Sequence, residues 1–297
     1  MPGPQVEITH ADRVLFPDGT TKGDLAAYYR KIAPHILPHL RDRALMLQRF
    51  PQGVSEDGFY QKDVGEHAPD WLRTVEVPKE GGTVHHPICN DESTLAYIAN
   101  QNCITIHSWL SRVDNLRRPD RMIFDLDPSD TVGFDTVRQA AYWLREILDE
   151  VELRCFVQTT GSRGLHVIVP LRPEADFDDV RNFARTLADV LASRYPEELT
   201  TQARKAARGD RLYLDVMRNA YAQTAVAPYS VRAVDVPAVA TPLRWDDLAD
   251  RELGPQRYTI HNVTRRLSRV RDPWRGFSRA ARSLKTPIRR LEKVSAG

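Results

Sequence analysis

Apolar residues recur at helical spacing through residues 20–45, TTKGDLAAYYRKIAPHILPHLRDRAL, which predicts a helix capped by Thr20 or Thr21. Pro34 and Pro38 are expected to kink or divide it. Residues 44–50 read as a strand closed by a Pro-Gln-Gly turn. Residues 51–70 are polar and loop-like, with Phe59 and Tyr60 among them. A short helix over Glu92–Asn100 and a strand over 103–107 complete the first half. The second half is more regular. Strands are predicted at 121–126, 154–158, 166–170 and 212–216, and helices at Phe134–Glu150 and 177–195. The last 50 residues read as helical and basic, with no linker isolating them. Strand, helix, strand, strand, helix, strand is a mixed order, not a repeating βα unit. The fold class expected is α/β (α+β), with mixed central β-sheets flanked by helices.

Composition narrows the class. The 297 residues are 41% hydrophobic and 28% charged, which predicts a globular chain with a real core. No apolar run approaches the roughly 20 residues that cross a bilayer, and the N-terminus lacks a signal-peptide layout. Three separated cysteines, Cys89, Cys103 and Cys155, argue against a disulfide framework or a zinc knuckle. A reducing, cytoplasmic setting is the default expectation.

Net charge is only +2, but residues 265–297 hold eleven Lys/Arg against two Asp/Glu. Residues 202–218 add Arg204, Lys205, Arg208, Arg211 and Arg218 against Asp210 and Asp215. Such stretches mark where a polyanion lies, or form a solvated helix face.

The sharpest chemistry is in RMIFDLDP, residues 121–128. Side chains alternate along a strand, so Asp125 and Asp127 share a face while Phe124 and Leu126 turn to the core. Two adjacent carboxylates repel unless cations neutralise them, and hard oxygen ligands suit Mg²⁺ or Mn²⁺ in a two-metal site. The plainer reading is a strand end with two exposed acids beside a turn. LYLDV, residues 212–216, places Asp215 in an apolar run, as a third ligand or as an acid paired to Arg211 or Arg218. Between two predicted strands, TTGSRGLHV holds Gly161 and Gly164, which let backbone N–H groups turn toward an anion. Thr160 and Ser162 add hydroxyls, Arg163 a guanidinium, and His166 a ring donor. The alternative is an ordinary hairpin loop with a structural histidine.

DLDP, TGSRGLH, YLDVMRN and AVAPYSVRA occur in this order, preceded by TTKGDLAAYYRKIAPHI, RFPQGV, GFYQK and IHSW. The set resembles the polymerase domain of bacterial ligase D, in the archaeo-eukaryotic primase superfamily, over nearly the whole chain. No Lys-x-Asp-Gly ligase motif accompanies it. The resemblance implies a primase-polymerase core, with residues 1–110 as a subregion for 5′-phosphate and template contacts. Residues 111–250 would be the palm-like catalytic part and residues 251–297 a basic helical extension, all in one compact domain.

By the same resemblance, Asp125, Asp127 and Asp215 hold two Mn²⁺ or Mg²⁺ ions. Thr160, Gly161, Ser162, Arg163 and His166 hold the incoming triphosphate, joined by His107 and Arg232. Lys22 sits in a pocket for the 5′-phosphate of a DNA break, helped by Arg13 and Arg49. Phe59 and Tyr60 stack near the template, and Lys205 and Arg208 sit on a mobile loop near the primer end or metals. Thr160 stands where the family usually has Ser, Arg163 where Lys also occurs, and Arg13 where Lys is expected. Gln48 precedes Arg49 where a second basic residue often stands.

The function implied is DNA-directed nucleotidyl transfer at gaps and breaks in end joining, with rNTPs preferred over dNTPs. Implied partners are 5′-phosphorylated DNA, a Ku-type end-binding protein and a separate ligase, with no membrane, in a nucleoid-associated cytoplasmic setting. A non-catalytic end-bridging module and a two-metal phosphohydrolase are the competing classes. The three acids beside a polyanion argue against the first, and the triphosphate-type loop against the second.

Overall fold

A computed structural model describes residues 4–65 and 67–295, with the side chains of residues 294 and 295 left out. In chain order the first half runs α1 (Lys22–Leu40), β1 (Leu45–Arg49), β2 (Phe59–Gln61), β3 (Thr74–Lys79), β4 (Gly82–Pro87), α2 (Glu92–Asn100) and β5 (Cys103–Trp109). There follow β6 (Arg121–Asp127), α3 (Phe134–Glu150), β7 (Phe156–Thr159), β8 (Leu165–Pro170), α4 (Phe177–Arg194), β9 (Leu199–Thr200), α5 (Lys205–Arg208) and β10 (Leu212–Asp215). Last come β11 (Thr224–Val226), β12 (Pro242–Leu243), α6 (Val263–Leu267) and α7 (Lys285–Ser295). Mixed sheets flanked by helices are the class expected. No helix among the described residues is long and apolar enough to cross a membrane.

The chain divides into two units. The first comprises Met1–Asp114, Thr224–Thr241 and Tyr258–Val270. Its sheet has the order β11-β5-β1-β2 with every pair antiparallel. Leu25, Tyr29, Ile32 and Ile36 of α1 join Leu95 and Ile98 of α2 and Ile104 and Ile106 of β5 in one core.

Helix α1 begins where Thr21 accepts from the Asp24 N–H and Asp24 accepts from the Thr21 N–H, a reciprocal capping box. It then runs unbroken through both prolines, against the expected division. Pro34 and Pro38 cannot donate to the carbonyls of Arg30 and Pro34. All three residues lie on the exposed face, so those carbonyls are open to solvent while the opposite face stays packed. Phe59–Gln61, expected as loop, is a short edge strand, and β3 and β4 form a hairpin outside the expected elements.

The second unit comprises Asn115–Gln223, Pro242–Arg257 and Arg271–Gly297. Its six strands lie in the order β12-β7-β8-β6-β10-β9, with only β10 and β9 parallel. The strongly amphipathic α3 and α4 pack beside each other and against β6. A buried clasp fixes β6 at its middle. Asn219 Oδ1 accepts from the Ile123 N–H at 2.8 Å, and Asn219 Nδ2 donates to Ile123 O at 2.7 Å.

Candidate metal and nucleotide site

Strand register builds the centre of the second unit. On β6, buried Phe124 and Leu126 alternate with half-buried Asp125 and Asp127. Antiparallel pairing sets Asp215 opposite Asp125 on one side and His166 opposite Asp125 on the other. Gln158 of β7 lies opposite His166, and Tyr213 opposite Asp127. Directly paired residues point to the same face, so Gln158, His166, Asp125 and Asp215 form a row across four strands, flanked by Asp127 and Tyr213.

Each acid is engaged. Asp127 accepts from Arg208 Nη1 at 3.1 Å and lies 3.5 Å from Arg163 Nη2, while Arg163 Nη1 holds Asp130 at 2.7 Å. Asp125 lies 3.5 Å from His166 Nε2 and 3.8 Å from Arg218 Nε. Asp215 accepts from the Met217 N–H at 2.7 Å and from the Tyr213 hydroxyl at 3.4 Å. Burial, opposed in part by the Met217 N–H, raises the Asp215 carboxyl above the ordinary aspartate range, and the adjacent Asp125 charge raises it further. Burial and Asp215 push the Tyr213 phenol up to about 12. Arg208 also lies over the Tyr213 ring, 4.0 Å from its centroid.

Among the described residues no three His, Cys, Asp or Glu side chains converge on one point. The acids face guanidinium groups instead. The donor set still suits a hard divalent cation, because three carboxylates share a face and one is already disfavoured as an anion. Two of them, Asp125 and Asp127, are held by cations that an inner ion would replace.

The β7–β8 connection is a tight hairpin. Thr160 N–H donates to Gly164 O at 3.0 Å, and the Thr160 hydroxyl accepts from the N–H groups of Ser162 and Gly164, both at 3.2 Å. Gly161 sits at φ +68°, the left-handed region that glycine enters freely. A Cβ on Gly164 would lie 1.9 Å from Leu126 O, so the hairpin touches the backbone between the two β6 acids. The Thr160 hydroxyl is buried inside the turn. Ser162, Arg163 and the N–H groups of Gly161 and Arg163 are therefore the donors left for an anion. His166 is buried, with Nδ1 3.3 Å from Gln158 Nε2.

Sequence reasoning missed Gln158 and Tyr213 as members of this site, while Arg218, offered as a partner of Asp215, lies 3.8 Å from Asp125. Gln158 carried the clearest signal, a polar residue in the apolar run FVQT, and it is 1% exposed. Lys205, on the one-turn α5, is exposed, whereas Arg208 reaches Asp127.

The first unit gathers a different set. Lys22 is the first residue of α1 and is buried, with Nζ 3.4 Å from Thr9 Oγ1. Burial lowers its pKa, and the charges of Arg13 and Arg49 lower it further. Arg13 donates to Pro51 O, and Arg49 to Gln101 O and Gln61 Oε1, each at 2.8 Å. Among the described residues none of these three cations meets a carboxylate. Exposed Phe59 lies under Arg49, and exposed Tyr60 meets the edge of His107 at 6.0 Å. His107 stands on β5 between Met46 and Val226, and the Arg232 N–H donates to Ala238 O at 2.8 Å.

Residues 21–274 match the family described as LigD, primase-polymerase domain. The chain belongs to this family. It is 34% identical over 257 residues to the multifunctional non-homologous end joining protein LigD of Mycolicibacterium smegmatis, covering 86% of this chain and 34% of that protein. It is 31% identical over 278 residues to the bifunctional non-homologous end joining protein LigD of Bacillus subtilis, covering 93% and 44%. Within the LigD family, then, the chain spans between about a third and under half the length of these relatives. Its fold superposes on the polymerase domain of Mycobacterium tuberculosis ligase D, solved in complex with DNA, with a TM-score of 0.87 and 30% identity. That match covers 93% of this chain and 99% of that one.

Proposed function

We propose that this chain is a divalent-metal-dependent nucleotidyltransferase that extends DNA 3′ ends at 5′-phosphorylated gaps and breaks during end joining. The observation that carries the reading is the alignment of Asp125 and Asp215 across β6 and β10, with Asp127 beside them and the Gly-Ser-Arg hairpin against the same strand. Asp125, Asp127 and Asp215 are the residues that would hold Mn²⁺ or Mg²⁺. When bound, the ions would lower the pKa of an attacking hydroxyl and neutralise charge on the leaving phosphate.

The chain's own groups supply the rest. Ser162, Arg163 and the free N–H groups of the hairpin bind the triphosphate, with Thr160 and Gly161 shaping the turn. His166, oriented from behind by Gln158, donates to a phosphate oxygen. Arg208 and Arg163, which hold Asp127 without nucleotide, are released toward phosphate oxygens as negative charge gathers there. The 3′-hydroxyl attacks the α-phosphate in line, and pyrophosphate leaves.

Lys22, Arg13 and Arg49 form the 5′-phosphate pocket. Three cations held together without a carboxylate are relieved by a dianion. Phe59 and Tyr60 offer exposed rings for template bases. Lys205 contacts the primer end, and His107 and Arg232 contact the nucleotide. Ribonucleotides as preferred substrates, a Ku-type end-binding protein and a separate ligase as partners, and a nucleoid-associated cytoplasmic setting belong to the same proposal.

Primer extension on a 5′-phosphorylated gapped duplex, with each of rNTP and dNTP and with Mn²⁺ or Mg²⁺, tests it. Extension should vanish in Asp125→Ala/Asp127→Ala while DNA binding persists. Absence of extension in the native protein under every condition, with binding that still depends on the 5′-phosphate, would leave an end-bridging module as the better account.

A further inference from the structure

At the end of the six-stranded sheet away from the carboxylates, Arg154, Arg275, Arg279 and Arg282 line an open cavity of about 390 Å³ with Glu152. Strand register places it. Arg282 bridges Leu171, one residue beyond the Pro170–Arg121 pair, and Arg121 lies four residues, roughly 13 Å, along β6 from Asp125.

Hydrogen bonds tie the segment to the sheet. Trp274 Nε1 donates to Val157 O at 3.0 Å, and Arg172 N–H donates to Arg282 O at 2.9 Å. Trp274 stacks on Phe277, which meets Phe156, so the aromatic rings turn inward. Arg275, Arg279 and Arg282, spaced four and three apart, are exposed. Among the described residues none of the four lining arginines pairs with a carboxylate, and the one acid, Glu152, is held by Arg290 at 2.7 Å.

Residues 265–297 have a net charge of +9 on a chain of +2, so the preceding 264 residues carry −7. Within the second unit, residues 271–297 hold eight Lys/Arg against Asp272 and Glu292, and a basic stretch on a near-neutral chain is the footprint of a polyanion. Single-stranded nucleic acid is gripped by stacking its bases on exposed aromatics, and here Phe156 and Trp274 are buried and Phe277 is half-buried.

We infer that this arginine groove is a second nucleic-acid surface that holds the backbone phosphates of duplex DNA, apart from the reacting end. The inference does not depend on the catalytic reading, because it concerns binding without nucleotide or metal.

The test is fluorescence anisotropy of the full chain with a blunt duplex bearing 5′-hydroxyl ends, titrated across salt concentrations. Three proteins are compared: native, Arg275→Gln/Arg279→Gln/Arg282→Gln, and the same triple substitution to Lys. Each phosphate contact contributes about 0.9 to the slope of log affinity against log salt. The Gln variant should bind at least tenfold more weakly at low salt and lose about 2 to 3 of that slope. The Lys variant, which keeps the charge, should retain both. Unchanged slope and affinity in the Gln variant would overturn the inference. So would equal loss in the Lys variant, which would make the guanidinium groups structural. A poly-glutamate chain that depends on these arginines while duplex binding does not would reassign the groove to an acidic protein segment. The titration is read without nucleotide or metal, whereas the polymerase reading is tested by primer extension, so failure of the one stays separable from failure of the other.

Discussion

At the scale of the residue, the proposed metal-binding face is built against stability. Asp215 is half-buried beside Asp125 and its carboxyl is raised, so its charged form costs the fold free energy at neutral pH. Asp215→Asn keeps an acceptor for the Met217 N–H and removes the like charge. It should raise stability in chelator by about 1 kcal/mol while abolishing extension. Thermal melts of the two proteins check this, and a lower melting temperature in the Asn variant would count against it. Lys22 presents the same conflict with opposite charge. Its pKa is lowered in the folded state, so between that lowered pKa and 10.5 the unfolded chain binds the extra proton and stability rises with pH. Lys22→Met should melt higher than the native protein at neutral pH, and the gap should narrow as pH climbs through the depressed pKa. Added phosphate should stabilise the native protein and not the variant. A gap independent of pH would show that the ammonium is not strained. Asp125, Asp127 and Asp215 could be singled out in sequence because acids interrupt apolar strands. Arg208 on Asp127 could not, since a cation in a polar loop gives no sign of which acid it meets.

At the scale of the element, the hairpin and the acid strand form one mechanical piece. Gly164 has no room for a side chain because Leu126 O lies where its Cβ would be. Gly164→Ala must therefore displace backbone between Asp125 and Asp127. It should cost at least about 2 kcal/mol and most of the activity, whereas Gly133→Ala, with nothing within 4 Å, should leave both nearly unchanged. Denaturant unfolding and primer extension of the two variants check the contrast, and equal stability would sink the claim. The elements legible in the sequence were those with strong local periodicity. Helices α3 and α4 and strand β6 lie within a residue or so of their expected bounds, since an amphipathic stripe or an apolar run is written locally. Phe59–Gln61 was not legible, because an exposed edge strand has no buried face to set a period. The unbroken α1 was not legible either. Proline propensity is local, while the burial of Ile32, Ile36 and Leu40 that overrides it is tertiary.

At the scale of the whole molecule, neither unit is a continuous stretch of chain. The first unit is completed by residues more than a hundred positions after Asp114, and no local pattern announces their return. They are integral to its core. Tyr28 OH donates to Tyr229 O at 2.7 Å, the Val231 N–H donates to Tyr29 OH at 3.3 Å, and Ser230 Oγ accepts from the Ile106 N–H at 2.7 Å. Strand β11 covers the edge of β5, and Tyr229, Val231, Val239 and Val263 are all buried. A fragment of residues 1–114 would leave those donors and acceptors unmet and the β5 edge open. Each lost buried hydrogen bond costs about 1–3 kcal/mol, and a domain's whole stability is roughly 5–15 kcal/mol. The fragment should therefore lack a cooperative thermal transition, bind a hydrophobic dye and aggregate through the open edge. Adding a second chain of residues 224–270 should restore near-ultraviolet dichroism and a melting transition if these contacts are what the first unit lacks. A fragment of 1–114 that melts cooperatively alone would show that the returning segments decorate a fold already complete.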